Sequence, residues 1–385
     1  MKKVMLFVLC SLLAAFTCGT VYAQAAETAD MPQINCKAVY LCDWHTGTVM
    51  HEFSAEKHLP IASMCKIMTL LVCFDELGNG RFTLDDQVCV SETASGMGGS
   101  QVFLEAGAQY PAGELIKSIC IASANDSCVA MAEFLYGSET AFVNKMNECA
   151  KALGMQNTEF TNCTGLPKAG QYSCAKDVAA MLSALLHHKE YFTFSTVWMD
   201  EIEHPGGRKT EMANTNKLIR FYQGCDAGKT GFTSDAGFCL AASAERGNMR
   251  VISVVIGADA SKTRFDGCRT MFDYAFANYT NKAVVQEGVL PNELCAVTGG
   301  KVKAVSVKAS APLFVFAKKG AEGTISCKTV YGQVKAPVRA GDKVGEIVVY
   351  KDNIETARTD LLAAENVDKV SYLDSIRDIA DNWVI

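Results

Sequence analysis

Leu59-Pro60-Ile61-Ala62-Ser63-Met64-Cys65-Lys66 introduces the first long helix of this chain. Ile67, Leu70, Leu71 and Phe74 follow at helical spacing and Gly78-Asn79-Gly80 ends the run, so the helix is predicted to extend to about Leu77. Ser63 stands at its start, with Lys66 one turn deeper on the same face. A hydroxyl is a weak nucleophile until a base takes its proton, and a neighbouring amine can be that base. The Ser-x-x-Lys spacing alone says little. Ser54-Ala55-Glu56-Lys57 and Ser173-Cys174-Ala175-Lys176 share it, and a serine at a helix start is usually an N-cap.

Order along the chain separates the three. Ser123-Ala124-Asn125 is the chain's single Ser-x-Asn and falls on a connection between helices predicted over Ala112 to Ile121 and Asp126 to Tyr136. Lys229-Thr230-Gly231 is its single Lys-Thr-Gly and leads into strand sequence. Ser173 lies after the first of these signals, and Ser54 lies upstream of the predicted helix. Ser63 alone combines a helix start with the right order.

The surrounding pattern is α+β. Ala38 to Phe53 reads as two strands around His45-Thr46-Gly47. Two more helices are predicted over Glu139 to Leu153 and Ser173 to His188, separated by the break at Gly165-Leu166-Pro167. Phe238 to Ala244 and Met249 to Ile256 are apolar runs joined by Glu245-Arg246-Gly247-Asn248, a hairpin signature, and Arg269 to Tyr279 reads as a closing helix. Front and back strands around a helical middle imply one sheet built from both ends of the domain. After about Val284 short alternating segments predict a small all-β domain. Val370, Leu373, Ile376, Ile379 and Trp383 then recur at helical spacing in an amphipathic tail. The expected divisions are 1–23, 24–282, 283–368 and 369–385.

With these motifs in place, the chain resembles the penicillin-binding D-alanyl-D-alanine carboxypeptidases, within the active-site serine penicillin-recognising enzymes. The likeness extends to Asn214-Thr215-Asn216-Lys217-Leu218, to Lys229-Thr230-Gly231-Phe232-Thr233 with Ala236-Gly237-Phe238-Cys239-Leu240, and to the β domain. It implies a β-lactamase/transpeptidase-like domain, an antiparallel sheet flanked by helices, followed by the small all-β domain. It implies Ser63 as acylated nucleophile, Lys66 as proton acceptor, Ser123 and Asn125 as proton relay and substrate orienter, and Lys229 and Thr230 as the grip on the substrate carboxylate. The backbone N–H of Phe232, just after Gly231, would share the oxyanion with that of Ser63. The implied substrate is the D-Ala-D-Ala end of peptidoglycan stem peptides, with β-lactams as inhibitors of the same serine. Ala124 and Cys65 stand where many relatives carry Gly and Thr. Cys65 points away from Ser63 on a helix, so packing is its expected role.

Physical chemistry supports those roles independently. Lysine near its ordinary pKa of ~10.4 is no base at neutral pH, but burial and a second cation such as Lys229 favour the neutral amine. Two rivals carry distinct expectations. A serine β-lactamase needs a deacylating carboxylate, and no such motif is evident. A non-catalytic wall-binding protein would not be expected to keep all three motifs.

Composition bounds the rest. The 385 residues hold 36 basic and 42 acidic side chains and are 49% hydrophobic, which excludes disorder and disfavours a nucleic-acid partner. Lys2 and Lys3, an apolar run from Val4 to Phe16 and Val21-Tyr22-Ala23 read as an export signal, predicting action at the extracytoplasmic face of the membrane or in the cell wall. The tail then invites peripheral membrane contact, against the alternative that it packs on its own domain. The 17 cysteines include no C-x-x-C, and many sit in apolar runs, so they are expected to be reduced, buried small hydrophobes. The six histidines lack metal spacing, and neither metal nor cofactor is expected.

Overall fold

The computed structural model describes residue 31, residues 33–374 and residue 376. The expected export signal and most of the amphipathic tail lie outside the described residues.

Five antiparallel strands form the main sheet: β1 (Ala38–Asp43), β2 (Val49–Phe53), β3 (Cys225–Thr233), β4 (Gly237–Arg246) and β5 (Met249–Ala258). Their order is β2-β1-β5-β4-β3, so the first strand pairs with the last and β3 is left at an edge. The central strands read as continuous apolar runs because both faces are covered. Alternate residues take opposite faces. Cys239, Ala241, Ile252, Val254 and Ile256 join the core of the helical layer, while Leu240, Ala242, Ala244, Val251 and Val255 pack with Cys268, Met271, Phe272 and Ala275 of the closing helix.

The helical layer contains α1 (Lys66–Gly78), α2 (Ala112–Ile121), α3 (Asn125–Tyr136), α4 (Glu139–Ala152) and α5 (Ala175–Leu185). The closing helix α6 spans Ser261–Asn278 and begins eight residues before the predicted Arg269. Its first turns carry Ser261, Lys262, Thr263 and Asp266, polar residues that hide the apolar face formed by Phe265, Cys268, Met271 and Phe272.

A second departure concerns Ser63. It lies in a 3₁₀ turn, Ala62–Cys65, that precedes α1, and Lys66 is the first residue of the α-helix. No side-chain cap is made there. Ser63 is thus not an N-cap.

Strand β6 (Tyr279–Val285) pairs with β9 (Leu313–Lys318). A six-stranded sheet follows, built from β7 (Gly288–Thr298), β8 (Ala304–Ala309), β10 (Ile325–Tyr331), β11 (Val334–Lys335), β12 (Lys343–Lys351) and β13 (Ile354–Ala363). Its order is β10-β12-β13-β8-β7-β11, around a core that includes Val305, Val307, Val315, Val349 and Leu361. This sheet does not contribute a residue to the constellation described next. The short helical stretch at 372–374 and 376 exposes Tyr372, Leu373 and Ile376. Among the described residues, no helix is long and apolar enough to cross a membrane.

Candidate active site

Close packing of three backbones shapes the site. The 3₁₀ turn is wedged between β3 and the loop that includes Gly165. A Cβ on Gly231 would lie 2.6 Å from the Ile61 carbonyl oxygen and 3.2 Å from the Ser63 nitrogen. One on Gly165, whose φ is +80°, would lie 2.0 Å from the Ala62 carbonyl oxygen. Glycine at both positions lets the strand and the loop close on the Ser63 turn. Ala62 itself is held at φ +47°, a left-handed conformation costly for a residue with a Cβ.

Ser63 is half-buried, and Lys66 beneath it is fully buried. Lys66 Nζ lies 3.0 Å from Ser63 Oγ, 2.7 Å from Asn125 Oδ1 and 2.6 Å from the Thr164 carbonyl oxygen. Asn125 Nδ2 donates to the Gly98 carbonyl at 2.7 Å, which turns its oxygen toward the lysine. A neutral amine donates two protons and offers one lone pair. The two shorter contacts are to oxygens that can only accept from it, which leaves the lone pair for the Ser63 hydroxyl. Burial pushes the Lys66 ammonium below its ordinary range, favouring that neutral form. No carboxylate hydrogen-bonds to Ser63 or Lys66 among the described residues.

Lys229 and Thr230 project from β3, paired with Ala241 and Leu240 of β4. Lys229 is 1% exposed, yet among the described residues its ammonium makes a single hydrogen bond, 3.1 Å to the Thr230 carbonyl. Burial, and then the charge of Lys66, lower its pKa to about 7. A buried cation with donors to spare is poised for an anion. Phe232 follows on β3, 56% exposed, with its ring stacked on that of Phe238 at 4.4 Å.

Ser123 lies in the middle of the α2–α3 connection at φ +63°, and its buried Oγ has no hydrogen-bond partner among the described residues. Strain and an unsatisfied hydroxyl together are the marks of a group kept for chemistry. The fold therefore gathers Ser63, Lys66 and Asn125 in direct contact, sets Gly231 against the Ser63 backbone, and leaves Ser123 and Lys229 with unused hydrogen-bonding capacity.

Three contributors escaped the sequence reading. Residues 161–171 form a pinned loop in which Asn162 Oδ1 accepts from Gly165 N at 2.7 Å and Gln171 Oε1 accepts from Thr161 N and Asn162 N. That loop delivers the Thr164 carbonyl. Asn162 three residues before Gly165 is a turn signal, but the run suggested only a break. Asp126, fully buried, accepts from Val102 N and Leu104 N at 3.1 Å and so anchors the loop carrying Gly98. The third contributor is Arg264, on α6. Its guanidinium donates to the Gly231 carbonyl at 2.9 Å and the Cys239 carbonyl at 3.2 Å, bracing β3.

A hydroxyl on a buried amine, under the free edge of an antiparallel sheet, defines a serine acyl-transfer enzyme. The family described as D-alanyl-D-alanine carboxypeptidase matches residues 25–260, and that described as penicillin-binding protein 5, C-terminal domain, matches residues 279–369. The chain is 38% identical over 349 residues to the D-alanyl-D-alanine carboxypeptidase DacF of Bacillus subtilis (strain 168), covering 90% of each chain. It is 32% identical over 377 residues to DacC of Escherichia coli (strain K12), covering 92% of this chain and 90% of that one. Penicillin-binding protein 5 from Haemophilus influenzae superposes with a TM-score of 0.71 at 27% identity, over 89% of this chain and 100% of that structure. The chain belongs to the D-alanyl-D-alanine carboxypeptidase family, as a low-molecular-mass penicillin-binding protein and serine-type carboxypeptidase.

Proposed function

We propose that this chain removes the terminal D-Ala of peptidoglycan stem pentapeptides through an acyl-enzyme on Ser63. The single observation that carries the reading is the contact of the half-exposed Ser63 hydroxyl with the buried Lys66 amine. Lys66 takes the hydroxyl proton as Oγ attacks the carbonyl carbon of the penultimate D-Ala. The backbone N–H groups of Ser63 and Phe232 hold the oxyanion. Collapse expels D-Ala, whose amine receives the proton from Lys66 through Ser123. Water then attacks the ester with Lys66 again as base, releasing the shortened peptide and restoring Ser63. Lys229 and Thr230 hold the substrate's carboxylate, Asn125 orients its backbone, and the open edge of β3 accepts the peptide as an added strand.

β-Lactams acylate the same serine. The export signal and the family's role at the cell wall support action outside the cytoplasmic membrane. Exposed Tyr372, Leu373 and Ile376 support peripheral membrane contact through the tail. Deleting residues after Asp368 and fractionating cells tests that contact, since an unchanged pellet fraction removes it.

Incubation with diacetyl-Lys-D-Ala-D-Ala and, separately, with fluorescent penicillin tests the activity. Release of D-Ala and a long-lived adduct that is lost in Ser63→Ala are expected. An adduct that persists in that variant, or rapid penicillin turnover, overturns the reading.

A further inference from the structure

Beside the nucleophile's turn lies a cleft of about 490 Å³, within the range of small-ligand sites. Ile61, Ala62 and Leu166 line it, together with Lys168, Thr233 and Asp235. We infer that this cleft receives the side chain of the third stem residue and is built for one that ends in both a free ammonium and a free carboxylate.

The inference rests on the carboxypeptidase reading, which sets the direction of the substrate. With its C-terminal carboxylate at Lys229–Thr230 and its scissile carbonyl over Ser63, a peptide added antiparallel to β3 advances about 3.3 Å per residue toward the strand's end. The residue before the penultimate D-Ala therefore comes level with Thr233 and Asp235. Its side chain meets the cleft.

The charges in the cleft are unspent. Asp235 makes no ion pair among the described residues, and the hydrogen bond it enters there is at its backbone carbonyl, from Lys37 at 2.9 Å. Lys168 has no carboxylate partner among the described residues, its ammonium donating to the Thr161 carbonyl at 2.8 Å. One charge comes from the turn between β3 and β4 and the other from the Gly165 loop, so the cleft offers an anion and a cation from different walls. Apolar Ile61, Ala62 and Leu166 suit the methylenes of a long side chain. An amino-acid terminus on such a stem, as in a diamino dicarboxylic acid, answers both charges.

The test compares kcat/KM for D-Ala release from three peptides that share acetylated α-nitrogens. Their third residues are Nε-acetyl-lysine, lysine with a free ammonium, and meso-diaminopimelate. Partly exposed ion pairs predict a gain of about threefold per charge, so the diaminopimelate peptide ranks first and the acetylated one last. In Asp235→Asn the advantage of free over acetylated lysine disappears, and in Lys168→Met that of diaminopimelate over lysine disappears. Because each comparison is a ratio within one enzyme, a poorly folding variant does not blur it. Equal values for the three peptides in the wild type, or unaltered ratios in the variants, overturn the assignment of the cleft alone. Absence of D-Ala release from all three overturns the carboxypeptidase reading and the cleft with it.

Discussion

Ser63 Oγ and Lys66 Nζ meet at 3.0 Å across a 3₁₀ turn. In that tighter helix, side chains three residues apart eclipse, whereas on an α-helix they are offset by about 60°. The switch from 3₁₀ to α at Lys66 therefore stands the amine directly under the hydroxyl while its own helix stays buried.

The two lysines set opposite limbs of a pH profile. Acylation needs Lys66 neutral, so the rate climbs as that amine loses its proton, and burial brings the climb below the ordinary lysine value. Holding the substrate carboxylate needs Lys229 charged, so the free enzyme loses capture as pH rises through about 7. A bell-shaped kcat/KM is expected for penicillin acylation between about pH 5 and pH 10. Lys229→Arg keeps its charge at every pH in that range and should move the falling limb upward. A falling limb left in place in this variant assigns it to another group.

Ser123 predicts a trade of stability against activity. Its buried hydroxyl has no partner among the described residues, and leaving such a group unmet costs roughly 1–3 kcal/mol. Ser123→Ala should raise unfolding stability by about 1 kcal/mol in a urea titration. Loss of the relay should lower D-Ala release by about 10²-fold. A variant that is less stable and fully active contradicts both halves.

Much of this arrangement is legible in the sequence. Apolar runs at 238–244 and 249–256 announced β4 and β5, and the Ser63-x-x-Lys66 spacing announced the contact of hydroxyl and amine. What stayed hidden has a common cause. The Thr164 carbonyl is a backbone atom and carries no side-chain signal, and Gly231 and Gly165 matter through what a Cβ would strike, which depends on tertiary approach. Asp126 and Arg264 act on backbone carbonyls and N–H groups of distant segments, contacts that no local period encodes. The early start of α6 was missed because its first turns are polar.

All fifteen cysteines of the described residues are free thiols, and most are buried. Cys65, between Ser63 and Lys66 in the chain, donates to the Asn162 carbonyl at 3.3 Å, and burial raises its thiol above the ordinary range, which suits packing and not nucleophilic attack. Native protein should react rapidly with a thiol reagent at the exposed Cys89 and Cys327, and all fifteen should react in denaturant without reductant. Mostly disulfides would refute that. Cys65→Ala should cost about 1 kcal/mol of stability and leave penicillin acylation near the wild-type rate.

Asp126 ties the surroundings of Lys66 to a loop some twenty residues upstream of its own carboxylate. Its carboxylate receives Val102 N and Leu104 N, and the same loop supplies the Gly98 carbonyl that aims Asn125 and the Ser100 carbonyl that accepts from Asn125 N at 2.7 Å. Arg208 clamps the loop from outside through the Phe103 carbonyl at 2.8 Å, and Phe103 is held there at φ +61°. Asp126→Asn replaces an acceptor oxygen by an amide donor that faces N–H groups. The expected loss is about 2 kcal/mol of stability and about tenfold in acylation rate, because Asn125 no longer fixes the Lys66 amine. A merely structural carboxylate would leave the position of the pH limb that reports Lys66 intact. A positioning role shifts it, and that limb, measured below the variant's unfolding temperature, separates the two.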